Sequence, residues 1–338
     1  MVDNLYVHFP FCRGRCSYCT LHSRAGTGKA ERDAYVAALV RAIRASRDMD
    51  PRRLKTAYFG GGTPALCELA PVLGEICAGE LTVELHPLDV TADLLKALAD
   101  GGVNRISMGV QSLDDGVLAH MGRGYTFAEA ERAFMLVRES FENAGIDLIV
   151  GYPGETSALV PRHARLAKWG LRHCSVYALQ NERGLEGAAD DDTAMNRIST
   201  VAAFLKDIGL ERYEISNYAV PGFECLHNLA VWRGEDYVGI GEGAFGRVGL
   251  RRTTGRRSSD GAEPFVFNAE EVTREKDDVE RRLFRLRTRE GIDAKGRPEW
   301  SDALGRFVAE GMLVRSGDIY RLTERGTEVC DAILAELV

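Results

Sequence analysis

Between residues 5 and 208 the chain passes six times from a short β-rich run to a helical stretch, and this rhythm restricts its fold more than any other feature. Strands are expected over Leu5–Phe9, Thr56–Gly60, Leu81–His86, Arg105–Gln111, Ile146–Gly151 and Cys174–Leu179. Helices are expected over Lys29–Arg47, Leu66–Cys77, Thr91–Asp100 (with Thr91 as N-cap), Asp114–His120, Phe127–Asn143, Ser157–Trp169 and Asp192–Ile208. Alternation of this kind predicts a parallel sheet with right-handed crossovers. Apolar runs such as Leu148-Ile149-Val150 predict strands covered on both faces. Six units are too few for a closed eight-stranded barrel. The expected fold class is therefore α/β, an open and partial (β/α)6 barrel with its site at the carboxyl ends of the strands.

Beyond residue 211 the character changes. Residues 212–272 are rich in Gly and aromatics, with strand-like pieces at Tyr213–Ser216 and Tyr237–Ile240. Arg251–Arg257, followed by Ser258-Ser259-Asp260-Gly261, reads as an exposed loop. A helix over Trp300–Glu310, a hairpin over Val314–Leu322 and a closing helix over Glu324–Leu337 suggest a winged-helix-like module. The expected division is a barrel over 1–211, an extension completing the core over 212–272, and the winged-helix-like domain over 273–338.

Charge narrows the partners. Acidic residues outnumber basic ones, 50 to 43, which argues against a protein that coats nucleic acid. Residues 298–338 carry four Arg against eight acidic residues, so the winged module is not a phosphate-binding surface; it reads as structural or as a partner surface. Residues 1–60 run the other way, with eleven Lys or Arg and five acids. That excess is either a local site for an anionic ligand or the solvated helix face from Arg41 to Arg53. No apolar run has the length of a membrane span, and Met1-Val2-Asp3-Asn4 does not begin a signal peptide, so a cytoplasmic protein without an integral membrane segment is expected.

In that compartment eight cysteines point to metal or redox chemistry rather than disulfides. Three lie together in Cys12-Arg-Gly-Arg-Cys16-Ser-Tyr-Cys19, just past the first strand. Thiolates hold iron–sulfur clusters, and three ligands on a four-iron cluster leave one iron open to a small molecule. Zinc, with His22 as a fourth ligand, is the alternative. Arg13 and Arg15 would offset the negative charge of the thiolates. Gly60, Gly61 and Gly62 serve either a close backbone approach to a ligand or a tight strand-to-helix turn. Cys67, Cys77, Cys174 and Cys330 show no ligand spacing and read as buried apolar thiols.

The segment Tyr6-Val-His-Phe-Pro-Phe-Cys12-x3-Cys16-x2-Cys19 resembles the signature of radical S-adenosylmethionine (SAM) proteins. More narrowly, the chain resembles the branch holding oxygen-independent coproporphyrinogen III oxidase and the haem chaperones of the HemW type. The likeness continues through Phe59–Pro64, Val83–Pro87, Arg105–Gln111, Asp147–Gly154, Tyr213–Tyr218, His227-Asn228 and Gly239–Gly241. It implies a [4Fe–4S] cluster on Cys12, Cys16 and Cys19, with SAM on the open iron. It also implies SAM contacts from Tyr6, Gly60, Gly61, Gly62, Thr63, Glu84, Gln111, Arg123, Asp147 and Ala178. A carboxylate such as Glu84 suits an ammonium or a ribose hydroxyl, and the planar fork of Arg123 suits a carboxylate.

Cys225-Leu-His227-Asn228-Leu-Ala-Val-Trp232 resembles an element proposed to contact haem in the chaperones, although Val231 stands where Tyr is expected. The resemblance makes His227 a candidate haem ligand; packing within the core is the other reading. Leu21 replaces a further Cys of the oxidases, and only eleven residues precede Cys12, both favouring the chaperone branch. Phe245, in place of a His common in the branch, cuts the other way. The expected function is therefore a haem chaperone that passes haem to an acceptor protein, with an electron donor such as flavodoxin or ferredoxin. The alternative is an oxidase that decarboxylates coproporphyrinogen III. An iron–sulfur or zinc structural protein is a third reading.

Overall fold

The computed structural model describes residues 1–155, 165–259 and 263–338. Six parallel strands form its centre: β1 (Asn4–Phe9), β2 (Leu54–Gly61), β3 (Ala78–Leu85), β4 (Arg105–Gln111), β5 (Asn143–Val150) and β6 (His173–Ala178). Three further short strands follow: β7 (Glu211–Arg212), β8 (Asn217–Ala219) and β9 (Val238–Ile240). β9 pairs parallel with β1 at one edge, while β8 and β7 close the other edge antiparallel. The sheet order is β9-β1-β2-β3-β4-β5-β6-β8-β7. Its edges stay separate, as expected of an open barrel.

The strands alternate rather than being apolar on both faces. Leu5, Val7 and Phe9, Ala57 and Phe59, Leu81 and Val83, Ile106, Met108 and Val110, and Ile146 and Leu148 all enter the main core. That core lies under helices α1 (Lys29–Ala45), α2 (Ala92–Asp100), α3 (Asp115–Met121), α4 (Phe127–Ser140) and α5 (Asp191–Asp207). The intervening positions are largely polar: Tyr6, Tyr58, Glu84, Arg105, Ser107, Asp147, His173 and Ser175. They face a cavity enclosed by the curved sheet. A period-2 pattern usually marks a sheet wetted on one side. Here the polar side is turned inward.

Local chemistry sets the helix ends. Thr91 Oγ1 accepts from Leu94 N at 3.2 Å, the expected cap. Asp114 and Asp190 cap α3 and α5, and Thr126 with Glu129 forms a capping box on α4. The helix expected over Leu66–Cys77 is only a 3-10 turn, Pro64–Leu66, and four helical residues, Ala70–Leu73. Each piece has a proline in its first turn, where the missing N–H is tolerated, and Gly74 ends the second. The helix expected over Ser157–Trp169 begins outside the described residues and ends in a 3-10 turn, Ala167–Trp169.

Two readings of the extension are corrected. Tyr213–Ser216 is not a strand; Glu214 makes one isolated bridge to Thr288. Arg251–Arg257 is not a loop but β11, between β10 (Phe245–Val248) and β12 (Phe265–Glu271) in an antiparallel sheet. Its charge is neutralised from outside: Arg252 pairs with Asp277 at 2.6 Å and Glu280 at 2.9 Å, both on α7 (Arg274–Leu286). Of the loop's continuation, Asp260 and Gly261 lie outside the described residues. Helix α6 (Leu226–Trp232) lies between β8 and β9 in the chain.

The last segment has its own core, including Leu286, Ile292, Trp300, Leu304, Leu313 and Ile333. It consists of β13 (Ile292–Asp293), α8 (Ser301–Ala309), the hairpin β14 (Leu313–Ser316) and β15 (Ile319–Leu322), and two short helices. The single closing helix expected over Glu324–Leu337 is split into α9 (Glu324–Glu328) and α10 (Cys330–Ala335). At Val329, φ of −120° leaves the helical region.

A cysteine-rimmed cavity as the candidate functional site

A cavity of about 1180 Å³ runs down the inside of the barrel. It exceeds the roughly 300–1,000 Å³ usual for one small-molecule ligand. Its upper rim is the loop after β1, carrying Cys12, Cys16 and Cys19; its far wall includes Arg287 and Thr327–Ala332 of the last segment. That segment, read from sequence as structural or as a partner surface, thus helps to enclose the site.

The three cysteines are free, half-buried and on the cavity wall. Burial pushes the Cys12 and Cys19 thiols up, and the charge of the neighbouring cysteines adds to this. Cys16 and Cys19 are joined by a turn, Cys19 N donating to Cys16 O at 3.3 Å. Arg183 donates to the carbonyls of Cys16 and Cys19 at 3.3 and 2.5 Å, and Arg123 Nη1 lies 3.5 Å from Cys16 Sγ. These two arginines face the loop. Arg13 instead pairs with Asp89. His22 turns to Glu242 at 2.7 Å. Among the described residues no three His, Cys, Asp or Glu side chains converge as a single ion requires. A trio of neighbouring, partly exposed thiols with no fourth ligand fits an iron–sulfur cube, in which each thiolate takes a different iron. Of the other cysteines, Cys67, Cys174, Cys225 and Cys330 are buried, whereas Cys77 is exposed, contrary to the sequence reading.

Below the rim, side chains named from the sequence meet around the cavity. Tyr6, Gly61, Gly62, Thr63, Glu84, Gln111, Arg123, Asp147 and Ala178 all line it. Tyr6 stacks on Tyr58, with ring centres 6.2 Å apart. Glu84 Oε1 accepts from Tyr58 Oη at 2.8 Å, and Oε2 from Gly61 N at 3.2 Å. Burial, followed by the charge of Asp147, pushes its carboxyl up to about 7. Asp147 lies within β5 rather than at its start, and accepts from Ser107 Oγ at 3.0 Å. Burial raises it too. Arg123 is oriented by Gly109 O at 2.8 Å and Tyr125 Oη at 2.9 Å.

Gln111 has φ of +68°, the left-handed region, at a register shift in the β4–β5 ladder. Such strain in a non-Gly residue clusters at ligand sites. The glycine run has an internal reason. A Cβ on Gly61 (φ +107°) would lie 2.5 Å from His8 Cε1, and one on Gly62 would lie 2.5 Å from Phe11 O. Packing against His8 of β1 and Phe11 just beyond it therefore leaves no room for a side chain at these two positions. Gly60 is off the cavity lining; its Cβ would press on the Glu84 carboxyl at 3.0 Å.

His227 does not reach the cavity. It is buried in the first turn of α6, its Nδ1 2.9 Å from Thr56 Oγ1 and its ring centre 5.4 Å from that of Tyr58. Burial, then the Arg105 charge, pushes its pKa down to about 3, keeping the ring neutral. In this arrangement its imidazole does not fit an axial haem ligand. Sequence reading missed Tyr58, Arg105, Ser107, His173 and Arg183. The first four occupy the inward alternation of their strands, a pattern that could have found them.

The radical SAM superfamily profile matches residues 6–167. The heme chaperone HemW of Mycobacterium tuberculosis is 31% identical, over 99% of this chain and 94% of that protein. HemW of Escherichia coli is 31% identical, over 98% and 97%. The solved structure of E. coli coproporphyrinogen III oxidase (HemN), described as a radical SAM enzyme, superposes with a TM-score of 0.81 at 20% identity. It covers 99% of this chain and 89% of that one, a likeness of fold. Full-length similarity at this level, with the cysteine rim at the end of a partial barrel, means that the chain belongs to the HemW family of the radical SAM superfamily.

Proposed function

We propose that this protein is a haem chaperone of the HemW kind, holding a [4Fe–4S] cluster and SAM and passing haem to an acceptor protein. The observation that carries this reading is the similarity to the HemW chaperones over at least 98% of the chain, together with the three thiols at the cavity rim. When bound, the cluster supplies an open iron and one electron to the cavity. Cys12, Cys16 and Cys19 would hold it, and Arg123 and Arg183 offset its negative charge.

Tyr6, Gly60, Gly61, Gly62, Thr63, Glu84, Gln111, Arg123, Asp147 and Ala178 are the proposed SAM residues. Glu84 would accept the ligand's ammonium and Arg123 its carboxylate. Gly60 would act through the space it leaves for Glu84. The cavity's volume accommodates a second ligand beside SAM, and haem is the one this reading assigns. The acceptor is a protein, the electron donor is of the flavodoxin or ferredoxin type, and the setting is the cytoplasm. Among the described residues no helix is long and apolar enough to cross a membrane.

The test uses anaerobically reconstituted protein titrated with haem, with and without SAM, beside an assay of coproporphyrinogen III conversion. Saturable haem uptake without decarboxylation supports the chaperone. Steady formation of protoporphyrinogen IX would replace it with the oxidase.

A further inference from the structure

The floor of the cavity holds a buried arginine whose Nε has no hydrogen-bond partner among the described residues. Arg105 begins β4, in register with Thr82 of β3 and Asn143 of β5. The residue is 1% exposed and lines the cavity. Among the described residues its Nε is buried with no hydrogen-bond partner, and no carboxylate lies in ion-pair contact with the guanidinium. A guanidinium offers five N–H donors in a planar fork, and burying it without acceptors is costly.

The surrounding acceptors are committed elsewhere. Glu80 accepts the backbone N–H groups of Leu226 and His227, each at 3.0 Å, at the start of α6. Glu84 is held by Tyr58 and Gly61, and Asp147 by Ser107. Across the ladder Asn143 Oδ1 is itself buried without a donor, so the two neighbours do not meet. Burial opposes the Arg105 charge, and Cys225 and then Glu80 favour it without taking its N–H groups.

A second buried polar group lines the cavity. Tyr213 Oη accepts from Cys225 N at 3.2 Å and lies 2.8 Å from His173 Nε2. The direction of the Tyr213–His173 bond, and so whether Nδ1 carries the proton, depends on the tautomer of the ring. That Nδ1 is buried with no partner, and His173 also lines the cavity.

We propose that Arg105 anchors a carboxylate of the ligand occupying the lower part of the cavity. The fork can take both carboxylate oxygens at once. On the proposed function, on which this inference rests for the ligand's identity, the carboxylate is a propionate of haem; the methionyl carboxylate of SAM, which that reading gives to Arg123, is the competing source that the test separates. The anion requirement itself comes from Arg105.

Two ligand pairs separate the sources. Haem is compared with its dimethyl ester, and SAM with decarboxylated SAM, by equilibrium binding to wild type, Arg105→Gln and Arg105→Lys. The expected result is that wild type prefers the free acid in the haem pair by at least about tenfold. Arg105→Gln should lose that preference while binding the carboxylate-free member as well as wild type does. Arg105→Lys, which keeps the charge but not the fork, should retain part of it. A haem-pair preference that is lost in Arg105→Gln assigns a propionate, and a SAM-pair preference that is lost there, with Arg123 intact, assigns the methionyl end. No preference in either pair for wild type, or an unchanged preference in a folded Arg105→Gln, overturns the proposal. Should Arg105→Gln fail to fold, Arg105→Lys and the wild-type pairs decide. Wild type that binds neither haem nor its ester refutes the haem reading, and the SAM pair then tests Arg105 alone.

Discussion

The Tyr58 hydroxyl donates to Glu84 Oε1 at 2.8 Å, and the buried carboxyl it holds titrates near neutrality, at about 7. Desolvation dominates this shift, and the Asp147 charge adds to it. Binding a ligand ammonium needs the carboxylate. Below pH 7 the free protein carries a proton there that SAM must expel. SAM affinity should therefore fall as pH drops below 7, approaching tenfold per unit, and level off above it. Calorimetric titration from pH 5.5 to 8.5 checks this. Glu84→Gln should flatten the profile and weaken binding by about 2 kcal/mol.

Glu214 offers a stability prediction. It is buried and pushed up to about 7 by desolvation, despite bonds from Ser216 N and Asn217. Its folded pKa lies above the ordinary 4.5, so the folded state binds the extra proton between pH 4.5 and 7. Its contribution is most favourable below 4.5 and is lost as pH rises through 7. Glu214→Gln should gain relative to wild type on moving from pH 4.5 to 8, by up to about 3 kcal/mol. Denaturant melts at the two pH values measure it; an equal difference at both would contradict it.

Gly61 has little freedom to change. With φ of +107° and His8 2.5 Å from the missing Cβ, Gly61→Ala should cost at least about 2 kcal/mol. Gly14 has nothing within 4 Å and no positive φ, so Gly14→Ala should change stability by no more than about 0.5 kcal/mol. Thermal unfolding of the two variants makes the comparison.

Arg183 fastens the cysteine loop by its hydrogen bonds to the carbonyls of Cys16 and Cys19. It is exposed, so Arg183→Ala should leave the fold intact. The freed loop should lose its cluster faster in air, several-fold by decay of visible absorbance. An unchanged decay would show that the loop is held by other contacts.

Much of the fold was legible because it rests on local signals. The β-then-α rhythm, the Thr91 cap and the cysteine spacing each lie within a few residues. What was missed depends on distant partners. Arg251–Arg257 reads as a loop until Asp277 and Glu280 are brought against Arg252. Arg183 looks like one more surface charge until the chain returns it to Cys16 and Cys19. The inward row of Arg105 and Ser107 carries a readable period of two, yet nothing nearby says that the polar face encloses a cavity. His227 shows the opposite case: its motif suggests a ligand, while Thr56 and Tyr58 hold it below the cavity.

On the proposed function, the three thiols at the barrel's mouth share one iron–sulfur cube. The most direct measurement is iron and acid-labile sulfide per chain after anaerobic reconstitution, in wild type and in single Ala variants at each of the eight cysteines. Wild type should hold about four of each. Cys12→Ala, Cys16→Ala and Cys19→Ala should each lose most of it, and the other five should not. An iron-free wild type, or equal retention in all eight variants, would contradict the account.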